Sequence, residues 1–129
     1  MTTRQPTLAL ADDDEAQVEM VSAWLERQGY RVHRFGSGDE LLSWAAAEPL
    51  PVDAFLLDVD MPGRDGYQSC RELRTIPEYA ATPAVFVTTA PPPEVEQNIA
   101  GLPPSWMVPK GPELFPRLRE RLSGILDAA

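Results

Sequence analysis

Apolar positions along the chain follow two alternating rhythms. Short, mostly apolar runs occupy 7–11, 30–35, 54–57, 84–87 and 106–108, and each gives way to polar residues. Between them apolar residues recur at helical spacing: Val18, Val21 and Leu25; Leu41, Leu42 and Ala45; Cys70 and Leu73 with Tyr67; then Leu114, Leu118, Leu122 and Ile125, flanked by Phe115 and Leu126. The runs suit strands and the spaced positions suit amphipathic helices. Five strands and about five helices in strict alternation predict an α/β fold, a parallel sheet with helices on both faces. Strands buried on both faces read as continuous apolar runs, as these do.

Punctuation places the boundaries. Gly29 suits the position after a helix, where φ is positive. Ser37 or Gly38 opens the second helix with Asp39 and Glu40 in its first turn, and Pro49 and Pro51 end it. Asp65 caps the third, and Pro77 and Pro83 bracket the loop before the fourth strand. Pro91, Pro92 and Pro93 on one side and Gly101, Pro103 and Pro104 on the other leave only 94–101 for the fourth helix. It is expected to be short or distorted, since helices of that length depend on packing.

Composition narrows the function. One domain is expected for 129 residues, with its core over about 7–126 and no effector domain in the chain. A net charge of -9 argues against direct contact with nucleic acid, which is bound through clustered Lys and Arg. The single Cys70 excludes a disulfide framework and fits a reducing cytoplasm, and reads as a core thiol. The N-terminus is no signal peptide, and no run is long enough to cross a membrane. His33 reads as solvent-facing, and Trp24 and Trp44 as helix-face packing.

In open parallel sheets, ligands sit beyond the carboxyl ends of the strands. The first strand is followed by Asp12, Asp13, Asp14 and Glu15, the third by Asp58 and Asp60, the fourth by Thr88 and Thr89, and the fifth by Pro109 and Lys110. Two unit charges about 5 Å apart repel by roughly 3 kcal/mol at an effective dielectric of about 20. Three clustered carboxylates therefore call for a cation, and Mg²⁺ suits a small, partly hydrated oxygen site. A metal, a hydroxyl donor, a lysine and a carboxylate nucleophile are the equipment of phosphoryl transfer, with Asp58 as the nucleophile. The metal pair is Asp12 and Asp13 if the strand ends at Ala11, or Asp13 and Asp14 one register along. The chain has ten arginines and one lysine, and that lysine falls directly after the fifth strand. A compact ammonium suits a small acidic cluster better than a guanidinium does.

The segments LALADDD, LLDVDMPGRDG and VFVTTA, together with Lys110, resemble the receiver domain of response regulators, the phosphoacceptor half of two-component signalling. The likeness is to the single-domain, chemotaxis-type receivers. It implies a flavodoxin-like, doubly wound sheet of order 2-1-3-4-5. It implies Mg²⁺ or Mn²⁺ held by Asp12, Asp13, Asp58 and the backbone carbonyl of Asp60, with Asp58 as phosphoacceptor. Thr88 and Lys110 would contact the phosphoryl group, with Thr88, Trp106 and Met107 as the switch region. The resemblance also implies a histidine kinase or phosphotransfer protein as donor, and a downstream protein reached by contact. A homodimer through the fourth helix, fifth strand and fifth helix would be a further partner. The chain would gain and lose its own phosphoryl group without being a turnover enzyme.

The chain also departs from that pattern. Receivers place an aromatic residue three positions before the lysine, where this chain has Met107, with Trp106 on the other face of the strand. Gly111 follows the lysine instead of proline, so no cis bond is expected there. Thr89 is bulkier than the usual small residue, although Thr88 and Lys110 keep the usual interval of 22 positions. Two other functions compete: an interaction module independent of phosphorylation, and a phosphohydrolase of the haloacid dehalogenase type, suggested by the Asp58-Val59-Asp60 pattern. An EF-hand reading fails because the twelfth loop position is Ser69. Eight of the 14 prolines fall after residue 90, which concentrates the departures in the last third of the chain.

Overall fold

The computed structural model describes residues 5–126; the remainder of the expected 1–129 domain lies outside the described residues. Its elements run β1 (Thr7–Ala11), α1 (Glu15–Arg27), β2 (Arg31–Phe35), α2 (Gly38–Ala47), β3 (Ala54–Leu57), α3 (Gly66–Leu73), β4 (Ala84–Thr88), α4 (Pro92–Ile99), β5 (Ser105–Pro109) and α5 (Leu114–Leu126). A short 3₁₀ turn, Pro77–Tyr79, lies in the loop before β4. All neighbouring strands are parallel, in the order β2-β1-β3-β4-β5. This is the expected doubly wound flavodoxin-like topology.

Alternation along each strand divides the core in two. Ala9, Ala11, Phe55, Leu57, Ala84 and Phe86 pack toward α2, α3 and α4. Leu8, Leu10, Leu56, Val85, Val87 and Val108 pack toward α1 and α5. Trp24 stacks on Phe115 at 4.9 Å and closes the second layer. Trp44 sits 5.0 Å from His33 and 5.1 Å from Phe35. His33 is therefore half-buried under an indole, not solvent-facing as its place among arginines suggested.

Local chemistry explains the element ends. Asp14 caps α1, its side chain accepting from the Gln17 N–H. At the other end of α1, Gly29 has φ 99°, its N–H donates to Glu26 O and the Tyr30 N–H donates to Leu25 O, which closes the helix with a left-handed residue. Ser37 caps α2 and Asp65 caps α3, the latter in a reciprocal box with Gln68. α4 is eight residues long, short as expected, but starts two residues earlier than 94. Pro92 and Pro93 occupy its first two positions, where no intrahelical N–H bond is required.

Arg74, just past α3, fastens the far end of the sheet. Its guanidinium donates to the carbonyls of Tyr79 (3.0 Å), Thr82 (2.6 Å), Leu102 (3.4 Å) and Pro104 (3.1 Å). The one cis bond among the described residues is Pro103–Pro104, and the bond after Lys110 is trans, as Gly111 implied.

Candidate metal and phosphoryl site

The sheet ladder itself delivers the site. Beyond the last paired residues, the Asp12 N–H donates to Phe35 O, the Asp58 N–H to Ala11 O and the Lys110 N–H to Thr88 O. Each bond extends a strand by one residue and sets a charged side chain at the carboxyl rim. Asp12, Asp13 and Asp58 each present a carboxylate oxygen, and these lie within 4.8 Å of one another. Asp12 and Asp58 are 3% and 6% exposed, while Asp13 opens to solvent.

Lys110 bridges the buried pair, with Nζ 2.9 Å from Asp12 Oδ2 and 3.3 Å from Asp58 Oδ2. The other Asp58 oxygen accepts from the Val59 N–H at 2.8 Å, and Asp12 Oδ1 accepts from the Asp14 N–H at 3.0 Å. Burial raises the Asp58 carboxyl above the ordinary range, the Asp12 charge adds to this, and Lys110 partly offsets both. For Lys110, burial lowers the ammonium, but the bonds and charges of Asp12 and Asp58 outweigh it and the net shift is upward. The pocket is thus short of positive charge even with its lysine in place.

Of the aspartates that follow β1, Asp12 and Asp13 converge with Asp58, whereas the Asp14 side chain caps α1. Thr88 ends β4 and is fully buried, whereas Thr89 is exposed. The Thr88 hydroxyl oxygen accepts from the Ala90 N–H at 3.1 Å, which leaves its own proton to donate. Asp60 lies in the following loop with its side chain exposed. Met107 packs into the α3 and α4 layer beside its strand partner Phe86, and Trp106 lies under the Arg121 guanidinium at 5.7 Å. The two switch candidates therefore occupy opposite faces of β5, as alternation required.

Two features beside the carboxylates complete the surroundings, the first at the glycine that closes the LLDVDMPGRDG segment. Gly66 seats directly against the residues that follow β3: its N–H donates to Val59 O at 2.9 Å, and an added Cβ would overlap the Asp58 carbonyl oxygen. A cleft of about 640 Å³ opens beside Asp12, lined by Glu15, Glu19, Arg34 and Glu40. A second cavity, about 800 Å³, lies elsewhere, between Trp24, Tyr30, Asp53 and Arg119, and none of Asp12, Asp13, Asp58 and Lys110 lines it.

The profile of the response regulator receiver domain matches residues 8–102. The chain belongs to the response regulator receiver family. Asp12, Asp13, Asp58 and Thr88 lie inside the matched region, and Trp106, Met107 and Lys110 lie beyond it. The receiver is 36% identical over 89 residues to the transcriptional regulatory protein ResD of Bacillus subtilis, which spans 68% of this chain and 35% of ResD. Among solved structures it resembles the Vibrio cholerae chemotaxis protein CheY4, with TM-score 0.84 and 27% identity over 95% of this chain and all of that one. The beryllofluoride-activated receiver domain of DrrB, a Thermotoga maritima protein, matches with TM-score 0.77 and 27% identity over 96% of this chain and 99% of that one. The chain thus covers about a third of ResD but nearly the whole of these single receiver structures. No helix among the described residues is long and apolar enough to cross a membrane.

Proposed function

We propose that this receiver is a phosphoacceptor in which Asp58 takes a phosphoryl group from a histidine kinase or phosphotransfer protein. The observation that carries the proposal is the Lys110 ammonium bridging two of three converging, mostly buried carboxylates. That donor set, all hard oxygen, fits Mg²⁺ or Mn²⁺, with Asp12, Asp13, Asp58 and the Asp60 carbonyl as its holders. When bound, the metal offsets the carboxylate charges and those on the transferred phosphoryl oxygens.

In the transfer, an Asp58 oxygen attacks phosphorus. The O–P bond forms as the N–P bond of a phosphohistidine breaks, and the imidazole leaves with that electron pair and takes up a proton. Lys110 pairs with a phosphoryl oxygen, and the Thr88 hydroxyl donates to another. Loss of the group by hydrolysis restores Asp58, so the receiver modifies itself and turns over no separate substrate. It acts downstream by protein contact, through a partner or a second copy at the α4-β5-α5 face. Intact-mass measurement of the full chain with Mg²⁺ and acetyl phosphate tests this reading. One added phosphoryl group, absent in Asp58→Asn, is expected. No adduct, or one that persists in Asp58→Asn, overturns it.

A second reading, an interaction module indifferent to phosphorylation, is favoured by Met107, which places no ring at the switch position of β5. Partner affinity unchanged by beryllofluoride would support it, and a shift would reject it.

A further inference from the structure

Tyr67 is buried in a way that the phosphoacceptor chemistry does not use. It is the second residue of α3, its ring lies 5.5 Å from that of Phe86, and it is 7% exposed. Its phenol oxygen is fully covered and has no hydrogen-bond partner among the described residues. An orphaned buried hydroxyl costs about 1–3 kcal/mol, and phenylalanine would fill the same space without that cost. A hydroxyl retained under these conditions calls for a partner in a second arrangement of the domain.

The surroundings offer that partner. Burial raises the phenol above its ordinary range, and the charges of Glu94, Asp65 and Asp60 raise it further. A neutral phenol near three carboxylates is a donor facing acceptors. Asp65 and Asp60 belong to the loop that follows Asp58, whereas Glu94 lies in the first turn of α4.

The mechanical connections run the same way. Tyr67 follows Gly66, whose backbone is pressed against Asp58 and bonded to Val59, so the start of α3 must move with the phosphoacceptor. On its other side the Tyr67 ring meets Phe86, two residues before Thr88 and the strand partner of Met107. Tyr67, Phe86 and Val95 of α4 share one layer of core, with Met107 packed on it.

We propose that Tyr67 is the positioning residue that carries the state of the Asp58 site to α4, its hydroxyl donating to Glu94 when the phosphoryl position is filled. The inference rests on the phosphoacceptor reading of Asp58. It places the moving aromatic ring on α3, since the Met107 position of β5 supplies none.

The test uses the full chain with tyrosine labelled with ¹³C at Cζ, with Mg²⁺ and beryllofluoride as the probe. The Tyr79 hydroxyl already donates to Leu50 O at 2.6 Å and serves as the internal control. On adding the probe, the Tyr67 Cζ resonance is expected to shift and that of Tyr79 to stay. Amide exchange across α4 is expected to change by about fivefold or more, a response lost in Tyr67→Phe although that variant still binds the probe. Two results overturn the inference alone: Asp12 and Asp58 amides that respond while Tyr67 Cζ does not, or a full α4 response in Tyr67→Phe. Silence at Asp58 itself overturns the phosphoacceptor reading and this inference with it. If Tyr67→Phe fails to fold, the labelled wild-type resonance decides.

Discussion

Lys110 Nζ stands closer to Asp12 than to Asp58, 2.9 Å against 3.3 Å, and so serves the same two carboxylates that a divalent cation would. The two cations compete. Removing the ammonium in Lys110→Ala leaves the buried carboxylates uncompensated and should lower metal-free stability by about 1–3 kcal/mol. The same change should tighten Mg²⁺ binding about tenfold, equivalent to about 1.4 kcal/mol of removed repulsion. Urea unfolding in chelator and a calorimetric Mg²⁺ titration give the two signs. Weaker metal binding in the variant would show that Lys110 supports the metal instead of opposing it.

Gly66→Ala tests the seat of α3. The new Cβ would overlap the Asp58 carbonyl, and backbone on both sides leaves no flexible chain end to give way. A loss of about 1–3 kcal/mol is expected, as for other overpacked sites. Because the displaced atoms belong to Asp58, Mg²⁺ binding should weaken as well. A fully stable variant with native metal affinity would show that the contact is loose.

Arg74 joins four carbonyls from two loops, so its loss strands several acceptors at once. Arg74→Ala is expected to cost about 3 kcal/mol, with amide exchange rising first around residues 102–105. Arg74→Lys should recover only part of this, since a single ammonium cannot reproduce the planar fork. Full rescue by lysine would show that charge, and not geometry, holds the loops.

Alkaline pH supplies a fourth test. Burial pushes the Cys70 thiol above its ordinary 9.0, with Arg74 and Arg71 opposing, and pushes the Tyr79 phenol above 10.0. Both groups hold their protons more tightly folded than unfolded. Their contribution to stability is fully present below about pH 9 and is lost as pH rises through the folded values. The urea midpoint should therefore fall above that pH, and less steeply in Cys70→Ala. A midpoint that rises there has the wrong sign for this account.

Much of the fold could be read from the chain because strands covered on both faces are apolar throughout, as 54–57 and 84–87 are, each entered from a nearby proline. The carboxylates and the lysine were equally legible, since the rim of a parallel sheet is fixed by where each apolar run stops. Which aspartates after β1 converge with Asp58 was not, because that required seeing Asp14 spent on the α1 cap. His33 was misread because nothing adjacent in sequence announces that Trp44 covers it. The start of α4 was misplaced by treating every proline as a breaker, when the first turn of a helix accepts two. Gly66 against Asp58, the Arg74 clamp and the orphaned Tyr67 hydroxyl are all tertiary facts, set by which elements meet.

The prolines of α4 also decide how that helix can move. With Pro92 and Pro93 holding φ near its helical value before folding, the first turn has little freedom to unravel, and Pro91 ahead of them prevents another turn from winding on. α4 is in effect a short rod of fixed length. A push delivered near Glu94 tilts or slides the whole rod, and its stroke is set by the slack in the connections on either side.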